Sequence, residues 1–225
     1  MAVELAKREN AKLHVLHITT AEELGLFEAG HSKITAEACV HHLWFEDQSY
    51  TTLGSLIKCN PAIKKASDRD AIRGAVNDGR ISILATDHAP HTWEEKQGTY
   101  FNAPSGLPLI QHTLLLMMEM CEQNCFSPEL IVERACHAPA RLFQVEERGY
   151  LREGYWADIV VVDPTGKTQV KDSQLFSKCG WSPFSQMTFT NSIETTIVSG
   201  KIAYHQGALN MDCRGLRAEF PKERR

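Results

Sequence analysis

The sequence is short of the features that would assign it to several large classes of protein. It has no apolar run long enough to span a bilayer and no N-terminal secretory signal, so a bilayer-spanning protein is not expected and the cytosol is. Its seven cysteines, at positions 39, 59, 121, 125, 136, 179 and 213, are odd in number and contain no Cys-x-x-Cys pair. That argues against a disulfide framework and a zinc ribbon. The excess of acidic over basic residues gives a net charge of -4, which speaks against nucleic acid as the main partner. There is no internal repeat and no low-complexity tract. What remains is a chain of 225 residues, 43% hydrophobic, enough for one sizeable domain or one domain and a small companion.

The most informative stretch is Ile81-Ser-Ile-Leu-Ala-Thr-Asp87-His88-Ala-Pro-His91. It begins as a short apolar run without helical period, which reads as a buried strand, and stops on a carboxylate, two imidazoles and a proline. Polar groups at the C-terminal end of a strand face the active-site mouth of an α/β barrel. Two earlier segments repeat the pattern. Lys12–His17 alternates and ends on a histidine; Ile34–Val40 reads as a strand ending in His41-His42. Helical patterns lie between them. One is capped by Thr19 or Thr20 and runs to Phe27, and another covers Tyr50–Ile57. A third is capped by Ser67 or Asp68 and is ended by Asn77-Asp-Gly79. Alternating strands and helices predict parallel pairing with right-handed crossovers. A whole barrel takes about 250 residues, and only about three βα units are visible. The chain therefore reads as the C-terminal part of a (β/α)8 barrel over residues 1–148.

After His91 comes a polar loop, Thr92–Asn102, then the Ala103-Pro-Ser-Gly-Leu-Pro108 turn. An apolar helix over Leu109–Cys121 follows, then one opened by Ser127-Pro128 and a short one over Pro139–Phe143. From Gly149 onward the texture is that of a small β-sandwich-like module. It has a buried strand at Ile159–Val162 and a hairpin from Ile193 to Tyr204 turning at Gly200-Lys201. Trp181, Phe184 and Phe189 are expected in its core, and a loose charged tail follows Met211.

Residue chemistry narrows the candidates. An isolated strand-end histidine such as His17 is more often bonded to a backbone carbonyl than to a metal. A carboxylate at the same end of the same sheet reverses that weighting, because imidazole and carboxylate together form a normal zinc set. Asp87 could also take a proton from an activated water. Adjacent residues on a strand face opposite sides, so at most one of His41 and His42 points inward, and packing is at least as good a reading as ligation. His91, held off the strand by Pro90, could donate to an anionic substrate, or be a surface histidine. Asn60, before Pro61, offers an amide suited to an amide-like ring, though a turn asparagine is the simpler account. Cys121 and Cys125 read as packing.

These segments together resemble a known family. Leu13-His-Val-Leu-His17-Ile-Thr-Thr, Thr35-Ala-Glu-Ala-Cys-Val-His41-His42-Leu, Lys58-Cys-Asn60-Pro-Ala-Ile and Ala85-Thr-Asp87-His-Ala-Pro-His91 are similar to dihydroorotases of the long bacterial type. Gly154-Tyr-Trp-Ala-Asp158-Ile-Val-Val-Val-Asp163 resembles a run common in the wider amidohydrolase superfamily. The resemblance implies a zinc-dependent, reversible interconversion of N-carbamoyl-L-aspartate and L-dihydroorotate in pyrimidine biosynthesis. His17 and Asp87 are then metal ligands, with Asp87 also the proton carrier. His91, Asn60 and the Ala103, Pro104 and Gly106 backbone are substrate contacts. It implies a binuclear zinc centre whose remaining ligands, a His-x-His pair among them, have no counterpart here. The chain on its own is accordingly expected to be inactive, poorly zinc-loaded and prone to self-association, including as a homo-oligomer. Its expected ligand is a small molecule, with neither nucleic acid nor membrane as partner. The alternatives are a hydantoinase- or allantoinase-like ring opener, and a non-catalytic barrel homologue serving as a scaffold or partner, for instance of a transcarbamoylase.

Overall fold

A computed structural model describes residues 1–221; the last residues of the charged tail lie outside it. The chain divides into two compact units. The first comprises residues 1–117 and 169–187, the second residues 118–168 and 188 onward.

The first unit opens with helix α1 (Ala2–Arg8), which has no side-chain cap. Three short strands follow, β1 (Leu13–Val15), β2 (Ile34–Cys39) and β3 (Ile83–Ala85), in the order β1-β2-β3 and all parallel. The register sets Leu13 opposite Ile34 and Cys39 opposite Ala85. The central strand is covered on both faces, with Ile34, Ala36, Ala38 and Cys39 all buried, as an apolar run in a parallel sheet requires. Between the strands lie a 3-10 turn (Glu22–Leu26), α2 (Val40–Trp44), α3 (Tyr50–Leu53), a second 3-10 turn (Gly54–Ile57) and α4 (Ala66–Asp78). Beyond β3 come α5 (Trp93–Lys96) and α6 (Thr113–Glu122), the latter running across the boundary between the units.

Several boundaries differ from the sequence reading, each for a local reason. The second strand stops at Cys39, and Val40 begins a helix, so His41 and His42 sit on one helical turn. Helix α4 starts before Ser67 and Asp68, neither of which caps it; Asp68 instead accepts the Ala21 N–H at 2.9 Å. Its C-terminal stop is the expected Gly79, at φ +89°. Thr20 does organise the turn at Glu22–Leu26. Its hydroxyl accepts the Glu23 N–H, and the Glu23 carboxylate takes the Thr19 and Thr20 N–H groups in return. The polar Thr92–Asn102 loop contains α5, opened by a capping box between Thr92 and Glu95. Trp181 and Phe184, expected in the β-module, are buried in the first unit. Trp181 donates its indole N–H to the His91 carbonyl at 2.8 Å, and Phe184 stacks on Phe45.

The second unit holds α7 (Pro128–Val132), capped by Ser127 with Pro128 in its first turn, and α8 (Ala138–Phe143). Its short extended segments are β4 (Ile159–Asp163), β5 (Thr168–Gln169), which runs across the boundary between the units, and β6 (Thr188–Phe189). With β7 (Ser192–Val198), β8 (Lys201–His205) and β9 (Ala208–Leu209), β4 forms an antiparallel sheet ordered β4-β7-β8-β9. The hairpin turns at Ser199-Gly200, one residue before the expected place. Both residues have positive φ, the twist-matched arrangement for a two-residue loop. Strand β4 was expected to be buried, but it is an edge strand, and Val160 and Val161 are exposed.

Candidate active site

The three parallel strands end on the residues that carry chemistry. His17 lies two residues beyond β1 and Asp87 two residues beyond β3. Both have left-handed backbones, φ +38° and +48°. Non-glycine residues in this region cost free energy and collect at functional sites, and His and Asp are among the side chains that tolerate it best. Between them, at the end of β2, α2 delivers His41 and His42.

On a helix the two imidazoles are not sent to opposite faces. Their ring centroids are 4.0 Å apart and both residues are buried. His42 Nε2 meets the Pro61 carbonyl at 2.9 Å and lies 3.7 Å from the Cys59 thiol. His42 Nδ1 and at least one ring nitrogen of His41 are buried without a hydrogen-bond partner. Each such atom costs about 1–3 kcal/mol unless something binds it. Burial pushes the His41 imidazole far below its ordinary range, with His42 and His17 adding the same sign and the Thr86 backbone opposing them. Burial likewise brings His42 down to about 4, against the pull of its Pro61 bond. Both rings are therefore neutral, the form that ligates a metal.

The charges of this cluster are coupled. Burial raises the Asp87 carboxyl; His17 opposes that shift and Glu37 adds to it. Burial lifts the Cys59 thiol to about 12, with the Asp87 charge adding. His17, His41, His42, Cys59 and Asp87 therefore share one electrostatic neighbourhood, although Asp87 itself is solvent-exposed. Among the described residues, the donor atoms of His41, His42 and Cys59 lie within 4.8 Å of one another. His14 is committed elsewhere, with Nδ1 on Thr35 at 2.8 Å and Nε2 on Glu37 at 3.0 Å.

The donor set suits zinc, since buried neutral imidazole nitrogens without partners and a nearby carboxylate are what that ion binds. His17, His41 and Asp87, at the ends of three adjacent strands, are the candidate ligands, although among the described residues only His41, His42 and Cys59 bring their donor atoms within 4.8 Å of one another. His42 and Cys59 are both partly engaged, each meeting the Pro61 carbonyl.

The expected substrate contacts lie on the neighbouring loops. His91 Nε2 meets the Ser105 carbonyl at 3.1 Å, and its Nδ1 is 3.6 Å from Glu95. Gly106 donates its N–H to the Lys58 carbonyl at 2.9 Å. At φ +140° a Cβ there would fall 2.4 Å from the Ala89 oxygen, so the turn requires glycine. Ala103 is buried, Pro104 half-buried and Asn60 exposed. His88 is structural, its Nδ1 accepting the Leu109 N–H at 2.9 Å. A cavity of about 340 Å³ lined by Leu53, Leu56, Trp93 and Trp181 includes none of the His17, His41 and Asp87 group. His41, for which packing and ligation were both open readings, is brought beside His42 and Cys59, and Lys96, in a segment that reads as a polar loop, is fully buried.

The amidohydrolase family matches residues 4–203. The chain belongs to the amidohydrolase family. Curated relatives of this amidohydrolase chain include the dihydroorotase of Halobacterium salinarum, 34% identical over 183 residues, covering 81% of this chain and 43% of that protein. The dihydroorotase of Clostridium acetobutylicum is 34% identical over 204 residues, covering 89% and 48%. The chain thus spans just under half the length of these relatives. Among solved structures it is similar to an L-hydantoinase (dihydropyrimidinase) from Arthrobacter aurescens, with TM-score 0.88 and 25% identity over 93% of this chain and 48% of the other. A D-hydantoinase from Thermus sp. shares the fold at TM-score 0.83 and 18% identity, covering 92% of this chain and 48% of its own. The amidohydrolase chain accordingly has an α/β metallo-hydrolase fold. Among the described residues no helix is long and apolar enough to cross a membrane.

Proposed function

We propose that the chain carries the C-terminal part of a dihydroorotase site, acting on the cyclic amide of L-dihydroorotate and reversibly on N-carbamoyl-L-aspartate. The observation that carries this reading is the placement of His17, His41 and Asp87 at the ends of three adjacent parallel strands, with at least one His41 nitrogen buried and unpartnered. Residues 1–148 are read as the barrel portion and 149–225 as a small β-module of sandwich type with its tail, apart from residues 169–187, which belong to the first unit.

Zinc, held by His17, His41 and Asp87, would supply a Lewis acid and an activated water. Asp87 accepts the proton of the attacking water and returns it to the ring nitrogen as that nitrogen leaves. His91 donates to the substrate carboxylate. Asn60 and the Ala103, Pro104 and Gly106 backbone hold the ring, so that the carbonyl carbon meets the water in a reactive pose.

The L-hydantoinase likeness favours a second reading, hydantoin or a related five-membered ring as substrate. The two separate by comparing L-dihydroorotate, hydantoin and allantoin as ligands and substrates with zinc supplied. Preferential binding of L-dihydroorotate is expected, weakened about tenfold by His91→Ala, the loss of one charge-assisted hydrogen bond. Hydantoin binding is unaffected by that change. Preference for hydantoin or allantoin would overturn the reading. Capture of a transcarbamoylase by a metal-free protein that binds none of the rings would favour the scaffold role. By this chain alone turnover is expected to fall far below the ordinary range of about 1–10³ s⁻¹, because the resemblance implies ligands that it does not match.

A further inference from the structure

Lys96 is one of the largest fully buried side chains of the protein. It ends the four-residue helix α5, and among the described residues no carboxylate pairs with it. Its ammonium reaches the main-chain carbonyls of Pro104 at 2.9 Å, Gly106 at 3.0 Å and Lys58 at 3.3 Å. It also lies 5.9 Å from the centre of the Trp181 ring. An ammonium has three donors and no acceptor, so three carbonyls match it group for group. A second lysine repeats the device nearby. Lys58 donates to the carbonyls of Ala103 at 2.6 Å and Tyr100 at 2.7 Å. Tyr100, Ala103, Pro104 and Gly106 therefore all have their carbonyl oxygens bonded to a lysine. Burial brings Lys96 down to about 8, so the charged form that all three carbonyls need is held against a desolvation cost. A neutral amine would offer two donors to three acceptors.

We propose that Lys96 is a positioning residue for substrate recognition: by gathering the Lys58, Pro104 and Gly106 carbonyls onto one ammonium, it fixes the Ala103–Gly106 turn against the segment that carries Asn60. The proposal rests on reading that turn and Asn60 as contacts of the substrate ring. Fixing two separate pieces of backbone to one point lowers the conformational freedom that a ligand would otherwise have to remove on binding.

The test uses the full chain and the variants Lys96→Met, which keeps the length and drops the donors, and Lys96→Gln, which keeps two donors. Hydrogen exchange is followed by peptide, with L-dihydroorotate as the binding probe and zinc content measured alongside. Lys96→Met should speed exchange over residues 103–109 at least tenfold and leave the β7–β8 hairpin unchanged. It should weaken L-dihydroorotate binding at least tenfold at equal zinc content, with Lys96→Gln intermediate in both. Unchanged exchange over 103–109 in both variants overturns the proposal. So does faster exchange with undiminished binding, which would make Lys96 merely structural, or loss of the whole fold in both variants, which would make its role global. If the parent chain binds no L-dihydroorotate, the dihydroorotase reading fails, and the turn-fixing role of Lys96 is decided by exchange alone.

Discussion

Replacing His41 by leucine is expected to lower zinc affinity at least about 100-fold and, in the same protein without metal, to leave stability unchanged or raise it. Loss of a residue behind a ligand already costs about 10–100-fold in metal affinity, and loss of a ligand should exceed that. The opposite sign in the metal-free state follows from the unpartnered ring. At least one His41 nitrogen is buried without a hydrogen bond, a burden of about 1–3 kcal/mol, and leucine fills similar space with no polar atom to satisfy. A structural histidine would behave differently, losing stability with and without zinc. Zinc titration against a competing chelator, and unfolding midpoints in zinc and in EDTA, read both halves. Undiminished zinc affinity in the variant would remove His41 from the ligand set.

Acid should destabilise the metal-free protein steeply between about pH 6.5 and 4. His42 and His112 are buried, and burial holds each near 4 against an ordinary value of 6.5. As pH falls through 6.5 the unfolded chain takes up protons that the folded chain cannot take until about 4. From these two residues folding therefore loses free energy across that window and no more below it. At 1.36 kcal/mol per unit, each histidine removes about 2 kcal/mol by pH 5 and about 3 kcal/mol below pH 4. His41, lower still, adds to this loss, whereas Asp87, whose carboxyl is raised, works weakly against it. Urea unfolding in EDTA at pH 7, 6 and 5 measures the slope, and His112→Gln should flatten it. Equal stability at pH 7 and pH 5 would show that these rings are protonated in the folded protein.

The parts legible from sequence were those in which local pattern and tertiary role agree. The run before Asp87 is apolar because β3 is buried, and its polar stop marks the strand end. The hairpin of β7 and β8, and the Ser127-Pro128 helix start, obey turn and capping chemistry that needs no distant partner. His41 was obscured by a single boundary. With Val40 in a strand, period two sends one histidine away; with Val40 opening a helix, both rings stay together. Lys96 was obscured because Glu-Glu-Lys in a polar segment looks solvated. Its burial depends on carbonyls from residues 58, 104 and 106, which no local pattern announces. Ile159-Val-Val-Val162 misled in the opposite sense, since an apolar run does not reveal that its strand will stand at a sheet edge.

The left-handed backbones of His17 and Asp87 narrow what evolution or an engineer can place there. A library randomised at either position would be screened twice, once by the main chain, which admits glycine, asparagine, aspartate and histidine most readily, and once by the need for a donor atom. Glycine passes the first screen only, and cysteine or glutamate meets the second at the expense of the first. Histidine, aspartate and asparagine pass both, so the two positions should accept these three more readily than anything else.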